Sequence, residues 1–358
     1  MTYFKICNSK ILATFTLLAA VIVGRPSVSM GAESTPGLPK VKVFTTGGTI
    51  QGAGPARNEV ANYRGDGSMV TGKMILDDIP EVKKIADVSL EETAAVASAN
   101  TKILIELANH ISEWLQRPDT SGAVVTHGTA TMEETAYFLN LTVRSDKPVV
   151  VVGAMRPFMA ISRDGPLNLY NAIRVAADPE ARDLGVMVLL NDEIHASRDV
   201  TKTNTVRVST FVSRDLGPLG FADSDRIVLY RKLLYRHTHK SEFDVSKMTD
   251  LPKVDIVYGY QEGGRAAVDA FIADGAKGIV LVDGGAGGGA IEDGRKKGVV
   301  FVQSDRKGSG RVMEGPRSAA RGVVTADNLN GQKARDLLRL ALSKTTDIKE
   351  IQRIFDEY

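Results

Sequence analysis

Two short segments combine threonine hydroxyls with glycines, which free the backbone around a side chain that could attack a substrate. The first is Thr45-Thr46-Gly47-Gly48-Thr49, directly after an apolar run. Its paired glycines allow a sharp turn and would hold Thr49 in an exposed loop, although a plain strand-to-loop turn would use the same residues. The second is Val125-Thr126-His127-Gly128-Thr129-Ala130-Thr131-Met132-Glu133-Glu134. Thr131 followed three residues on by Glu134 has the form of a capping box, so a helix should start at Thr131. Thr129 would then sit just before a helix N-terminus, where free N–H groups and the dipole favour developing negative charge. Capping chemistry alone would explain this segment equally well. A hydroxyl is a weak nucleophile at neutral pH and needs an activating partner. Lys202, within Arg198-Asp199-Val200-Thr201-Lys202-Thr203-Asn204, is the candidate. In cationic or apolar surroundings a lysine loses charge and acts as a base; the competing reading is a solvated surface lysine.

Other chemistries find less support. His195 stands beside Glu193, and His237-Thr238-His239 is a close trio, but no metal-ligand spacing joins the five histidines. The glycines of 284–289 lack the Lys-Ser/Thr of a phosphate loop, and Gly52-Ala53-Gly54-Pro55 is no dinucleotide fingerprint. No metal and no cofactor are therefore expected.

The elements that must position these residues follow from hydrophobic patterning. Runs at 41–44, 123–126, 148–152 and 186–190 read as buried strands, and 104–115, 133–139 and 167–177 have helical spacing. Strand, helix and strand in succession imply a parallel sheet with helices on both faces. A second group has strands at 254–258, 278–282 and 299–302 and a helix at 266–273, and closes on a helical pair at 332–342 and 348–355. The expected fold is α/β: a larger N-terminal parallel-sheet domain over 40–231, a linker at 232–251 and a smaller C-terminal α/β domain over 252–358. In open parallel sheets ligands gather beyond the carboxyl ends of strands, where both threonine segments fall.

Lys5 and Lys10 precede an apolar run at 11–23, and small or polar residues follow through Ser34. That order reads as a secretory signal over 1–31, and the run is short for a membrane span of ~20 residues. The expected location is periplasmic or secreted, with no membrane attachment after cleavage. Cys7, the one cysteine, lies inside this leader, so the exported chain would have no disulfide and no thiol chemistry. The net charge of +2 is partly the leader's, and a near-neutral remainder without a basic stripe argues against nucleic acid as a partner.

Taken together, these segments resemble the bacterial type II L-asparaginases and glutaminase-asparaginases. Thr46-Gly47-Gly48-Thr49-Ile50 is similar to the family's first threonine motif, and Thr126 to Ala136 to its second. Gly153-Ala154-Met155-Arg156-Pro157, Asp164-Gly165-Pro166-Leu167-Asn168-Leu169-Tyr170-Asn171-Ala172, Arg198 to Thr205, Phe243-Asp244-Val245-Ser246-Lys247 and Gln332-Lys333-Ala334-Arg335 extend the match in fixed order. The resemblance implies hydrolysis of the side-chain amide of asparagine, and often of glutamine, to the acid and ammonia, without a cofactor. It makes Thr49 the nucleophile with Tyr63 beside it on a mobile loop, and Thr129 a second threonine working with Lys202. Ser98 would meet the substrate's α-carboxylate, with Gly48, Gly128, Ala99 and Ala130 also on the substrate side. It further implies a homotetramer whose sites lie between subunits, with the 52–72 segment as a lid.

The departures cluster. The family has aspartate where this chain has Ala130, glutamine or glutamate where it has Ala99, and Gly-Asn-Gly-Asn where it has Gly287-Gly288-Gly289-Ala290. Glu314 is the nearest counterpart of the glutamate lent by a neighbouring subunit, with Asp283 in reserve. In the family these groups hold the substrate's α-ammonium. An asparagine-like amide without a free amine, or a non-catalytic binding role, therefore stands beside asparagine hydrolysis as an expectation.

Overall fold

A computed structural model describes residues 37–60, 68–93, 100–284 and 286–358. Its larger sheet grows from short apolar runs, and in those at 122–126, 149–152 and 186–190 every residue is buried. The parallel strands are β1 (Lys40–Thr45), β2 (Asp87–Glu92), β3 (Gly122–Thr126), β4 (Val149–Val152) and β5 (Val186–Leu190). Antiparallel to β5 runs β6 (Glu193–Ala196), turned by Asn191 and Asp192 at positive φ. A separate ribbon pairs β7 (Thr201–Lys202) with β8 (Phe211–Val212), and β9 (Gly220–Ala222) and β10 (Ile227–Leu229) complete the large sheet. Its order is β10-β9-β6-β5-β4-β3-β1-β2. The sheet is thus mixed, with the expected parallel part at one end and an antiparallel extension at the other.

Period-two alternation assigns the strand residues to opposite faces. Val125, Val149 and Val151 pack with α2 (Thr101–Gln116) and α3 (Met132–Thr142), which follow the short α1 (Gly72–Asp77). Val124, Val150 and Val152 pack with α4 (Gly165–Ala177) on the other side. Helices therefore cover both faces, as the apolar runs require. The chain's direction across the sheet reverses at β1, which has β2 on one side and β3 on the other. The carboxyl ends of β1 and β3 flank that switch point, where a crevice forms.

The smaller sheet is parallel, in the order β11 (Val254–Tyr258), β12 (Gly278–Val282), β13 (Val300–Ser304) and β14 (Val324–Thr325). On one face lie α5 (Ala266–Ala273) and α6 (Ala290–Lys296), with the short α7 (Pro316–Arg321) beside β14. On the other lie α8 (Gly331–Leu342) and α9 (Ile348–Glu357). The α3 and α8 helices pack together, so one apolar cluster runs from Val151 of the large sheet to Val302 of the small one. The segment read as a linker is itself packed, with Leu233, Phe243, Val245 and Leu251 buried.

This junction also buries charge. Asp336, on α8, is 4% exposed, and burial pushes its carboxyl up to about 6 against the pull of Arg335 and Arg339. A carboxyl raised above its unfolded value of 3.8 is held protonated by the fold, so its ionisation opposes folding as pH climbs from about 4 to about 6. Asp336→Asn should therefore gain stability on the parent across that window, by up to about 1.4 kcal/mol per pH unit, and keep a constant offset outside it. Urea melts of both proteins from pH 4 to pH 8 measure this. Parallel stability curves would contradict it.

Candidate active site

Thr49 and Thr129 come together because their strands are neighbours. Thr45 of β1 lies opposite Thr126 of β3. The pairing continues past the strand end, where Thr46 donates to the Thr126 carbonyl from its N–H at 3.2 Å and its hydroxyl at 2.7 Å. One step further, Gly48 (φ 90°) crosses Gly128 so closely that a methyl on it would overlap the Gly128 backbone. Thr49 then opens a short 3-10 turn, Thr49–Gln51. Gln51 secures it, accepting from Gly47 N–H at 2.9 Å and donating to the Val70 carbonyl at 3.1 Å. Thr49 is 2% exposed and Thr129 4%, so the first threonine is buried rather than displayed on an open loop.

The lysine reaches the same place. Lys202 lies half-buried on β7, and its Nζ donates to Thr129 Oγ1 at 2.7 Å. Run in the opposite sense, with the hydroxyl donating to a neutral amine, this contact activates the oxygen. Gly153, at the end of β4, packs under the second loop: an added methyl would come within 2.7 Å of the His127 carbonyl. Asp164 fixes that corner by accepting from the N–H groups of Met155 and Arg156, both at 2.9 Å. His127 is fully buried, with Nδ1 2.7 Å from the Gly128 carbonyl. A carbonyl only accepts, so Nδ1 carries the proton, and burial pushes the ring's pKa down to about 4. The imidazole is a neutral brace for the loop.

The capping box does not form. Thr131 is the N-cap of α3, but at φ −124° and ψ 16° it lies outside the extended region from which a hydroxyl caps, and it makes no cap bond. Among the described residues its Oγ1 has no partner. Glu134 faces the α8 junction instead, where burial and then Asp336 push its carboxyl up to about 7. Ala130 is exposed at the lip of the site. Glu314 is exposed as well, while Asp283 is engaged by Lys307 and, at 3.2 Å, by Arg306. Tyr63, Ser98 and Ala99 lie outside the described residues.

Three residues given no role by the sequence reading adjoin the site. Glu133 accepts from the Lys202 N–H, Asn330 donates to Glu133, and the buried Lys333 binds carbonyls of the segment leading to Lys202. Glu133 and Lys333 stood inside quoted motifs, but no local pattern pairs positions 197 residues apart, as Glu133 and Asn330 are.

A family model described as the N-terminal asparaginase domain matches residues 40–235, and one for the glutaminase/asparaginase C-terminal domain matches 253–355. The chain is 46% identical over 340 residues to L-asparaginase 2 of Bacillus subtilis, covering 92% of this chain and 89% of that protein. It is 41% identical over 338 residues to the glutaminase-asparaginase of Pseudomonas fluorescens biotype A, covering 91% and 92%. Its fold is similar to the crystal structure of a probable cytoplasmic L-asparaginase from Campylobacter jejuni. That match has a TM-score of 0.84 at 41% identity and covers 89% of this chain and 100% of the other. Both domain models in order, with such identity along nearly the whole chain, lead to one conclusion: the chain belongs to the asparaginase/glutaminase family.

Proposed function

We propose that this protein hydrolyses the side-chain amide of L-asparagine, and of glutamine, with Thr49 as nucleophile and Thr129 with Lys202 as the proton-moving pair. In this reading Thr49 Oγ1 attacks the amide carbon and forms an ester, while ammonia leaves with the hydroxyl's proton. Water then gives up a proton through Thr129 and Lys202, breaks the ester to the free acid and restores Thr49. The observation that carries the reading is the 2.7 Å contact between Lys202 Nζ and Thr129 Oγ1, beside the crossing of Gly48 over Gly128 that brings in Thr49. Family membership supports the amide substrate. The N-terminal pattern supports export to the periplasm or medium, and the family resemblance supports a homotetramer with sites shared between subunits. Gel filtration with light scattering tests the tetramer, and the N-terminus of the secreted protein tests the export.

A specific observation favours a second substrate class. Ala130 puts a methyl at the lip of the site where the family resemblance implies a carboxylate, and Asp283 is paired with Arg306 and Lys307. An uncompensated ammonium there would lose a charge-assisted partner, at ~2–5 kcal/mol. Ammonia release from asparagine, glutamine, N-acetylasparagine and succinamate separates the two readings. Preference for free asparagine sustains the first; preference for the acylated or deaminated amide sustains the second. No ammonia from any of them, with ligand still bound, would leave only a binding role. Ala130→Asp should raise kcat/KM on free asparagine by at least about tenfold. Unchanged or lower activity would show that the pocket is organised around something other than that carboxylate.

A further inference from the structure

A two-residue strand is a weak mount for a side chain whose amine must stay within hydrogen-bond reach of one hydroxyl. The Lys202 backbone is instead gripped from two sides. Glu133 Oε2 accepts from the Lys202 N–H at 2.7 Å, and Glu133 Oε1 accepts from Asn330 Nδ2 at 2.8 Å. Asn330 is the N-cap of α8, its Oδ1 accepting from the Lys333 N–H at 3.0 Å. Lys333, 2% exposed, turns its Nζ back to the carbonyls of Arg198 at 2.8 Å and Val200 at 2.5 Å. Arg198 is anchored in turn to Asn328 Oδ1 and the Tyr358 carbonyl, each at 2.6 Å. From Arg198 to Lys202 the strand thus hangs between the N-terminus of α3, which also carries the Thr129 loop, and the N-terminus of α8 from the smaller sheet.

We propose that Glu133, Asn330 and Lys333 are positioning residues that set Lys202 on Thr129, so that the C-terminal layer takes part in catalysis within its own chain. The proposal rests on the reading of Lys202 and Thr129 given above. The hydrogen-bond chemistry leaves little slack. Glu133 faces two donors, a backbone N–H and an amide NH2, and its carboxylate accepts from one with each oxygen. Asn330 cannot flip to relieve a mismatch, because its oxygen is committed to the α8 cap. Glu133→Gln therefore sets a donor against a donor at nearly constant volume. Asn330→Ser keeps a good N-cap and removes only the tie to Glu133.

Asn330→Ser and Glu133→Gln should each lower kcat by ~10- to 100-fold, the scale of a displacement of about 1 Å at a reacting group, with KM changed less than about threefold. The acid limb of the pH–rate profile should move to lower pH in Glu133→Gln, which removes a negative charge beside Lys202, and hold its place in Asn330→Ser. In crystal structures of either variant Lys202 Nζ should withdraw from Thr129 Oγ1 beyond hydrogen-bond reach. Unchanged kcat in both variants, or a loss confined to KM, would overturn the proposal. So would a lysine still 2.7 Å from Thr129, and that result stands whether or not any amide is turned over. A parent protein inactive on every amide, with the lysine displaced in the variants, would fault the assigned reaction and leave the clamp standing.

Discussion

Lys202→Met is expected to lower kcat by ~10³-fold or more on whichever amide the parent turns over best, with the melting temperature held within a few degrees. General acid–base groups contribute ~10²–10⁴-fold, and here the same amine also orients the hydroxyl it activates. Methionine keeps the length and apolar stem of the side chain. The bond from the residue 202 N–H to Glu133, and its place opposite Phe211 in the β7–β8 ribbon, do not depend on the amine. The loss should therefore fall on kcat and spare folding. Thr129→Val removes the other half of the contact. Groups that act as one unit are strongly non-additive, so the double variant should be scarcely slower than the worse single one. Initial rates of ammonia release, with circular dichroism melts, give both quantities. A Lys202→Met enzyme within threefold of the parent would remove the lysine from the mechanism, and simple multiplication of the two single losses would show that the residues work apart.

Gly48→Ala is expected to destabilise by ~3 kcal/mol or more and to abolish activity. Two costs add. The backbone at φ 90°, ψ −172° is a region essentially reserved for glycine, at roughly 1–3 kcal/mol for any other residue. The new methyl would also overlap backbone atoms of Gly128, and backbone cannot swing aside as a long side chain can. The only relief is separation of the loops after β1 and β3, the movement that parts Thr49 from Thr129. Gly217→Ala is the control: Gly217 also has positive φ (73°), but its added methyl would meet nothing within 4 Å. It should lose about 1–2 kcal/mol and keep its activity. Urea unfolding of the pair separates strain from collision. Equal losses would mean that the close approach at Gly48 costs nothing beyond its dihedral angles.

How much of this could be read from the residues depends on the range over which each signal acts. The parallel strands were legible because burial on both faces demands near-continuous apolar runs rich in valine, which 123–126, 148–152 and 186–190 are. Edge strand β2 was not: in Asp87–Glu92 no residue is fully buried, and the acidic sequence resembles a loop. The extension through β6, β9 and β10 was missed for a related reason, since strands of three or four residues offer too few positions for a period to emerge. Thr131 and Glu134 show the reverse failure, a local capping pattern overruled when tertiary packing drew Glu134 toward Asp336.

The residue order of this chain contains, in local form, its alternating α/β pattern, the two glycine-flanked threonines and the lysine motif, because each needs only neighbours within a few positions. Which strands lie side by side, that Gly48 meets Gly128, and that Glu133 joins Lys202 to Asn330 are settled by the folded core alone. Such pairings span from about 70 to nearly 200 positions, and only the burial of both sheets and their helices against one another brings those ends together.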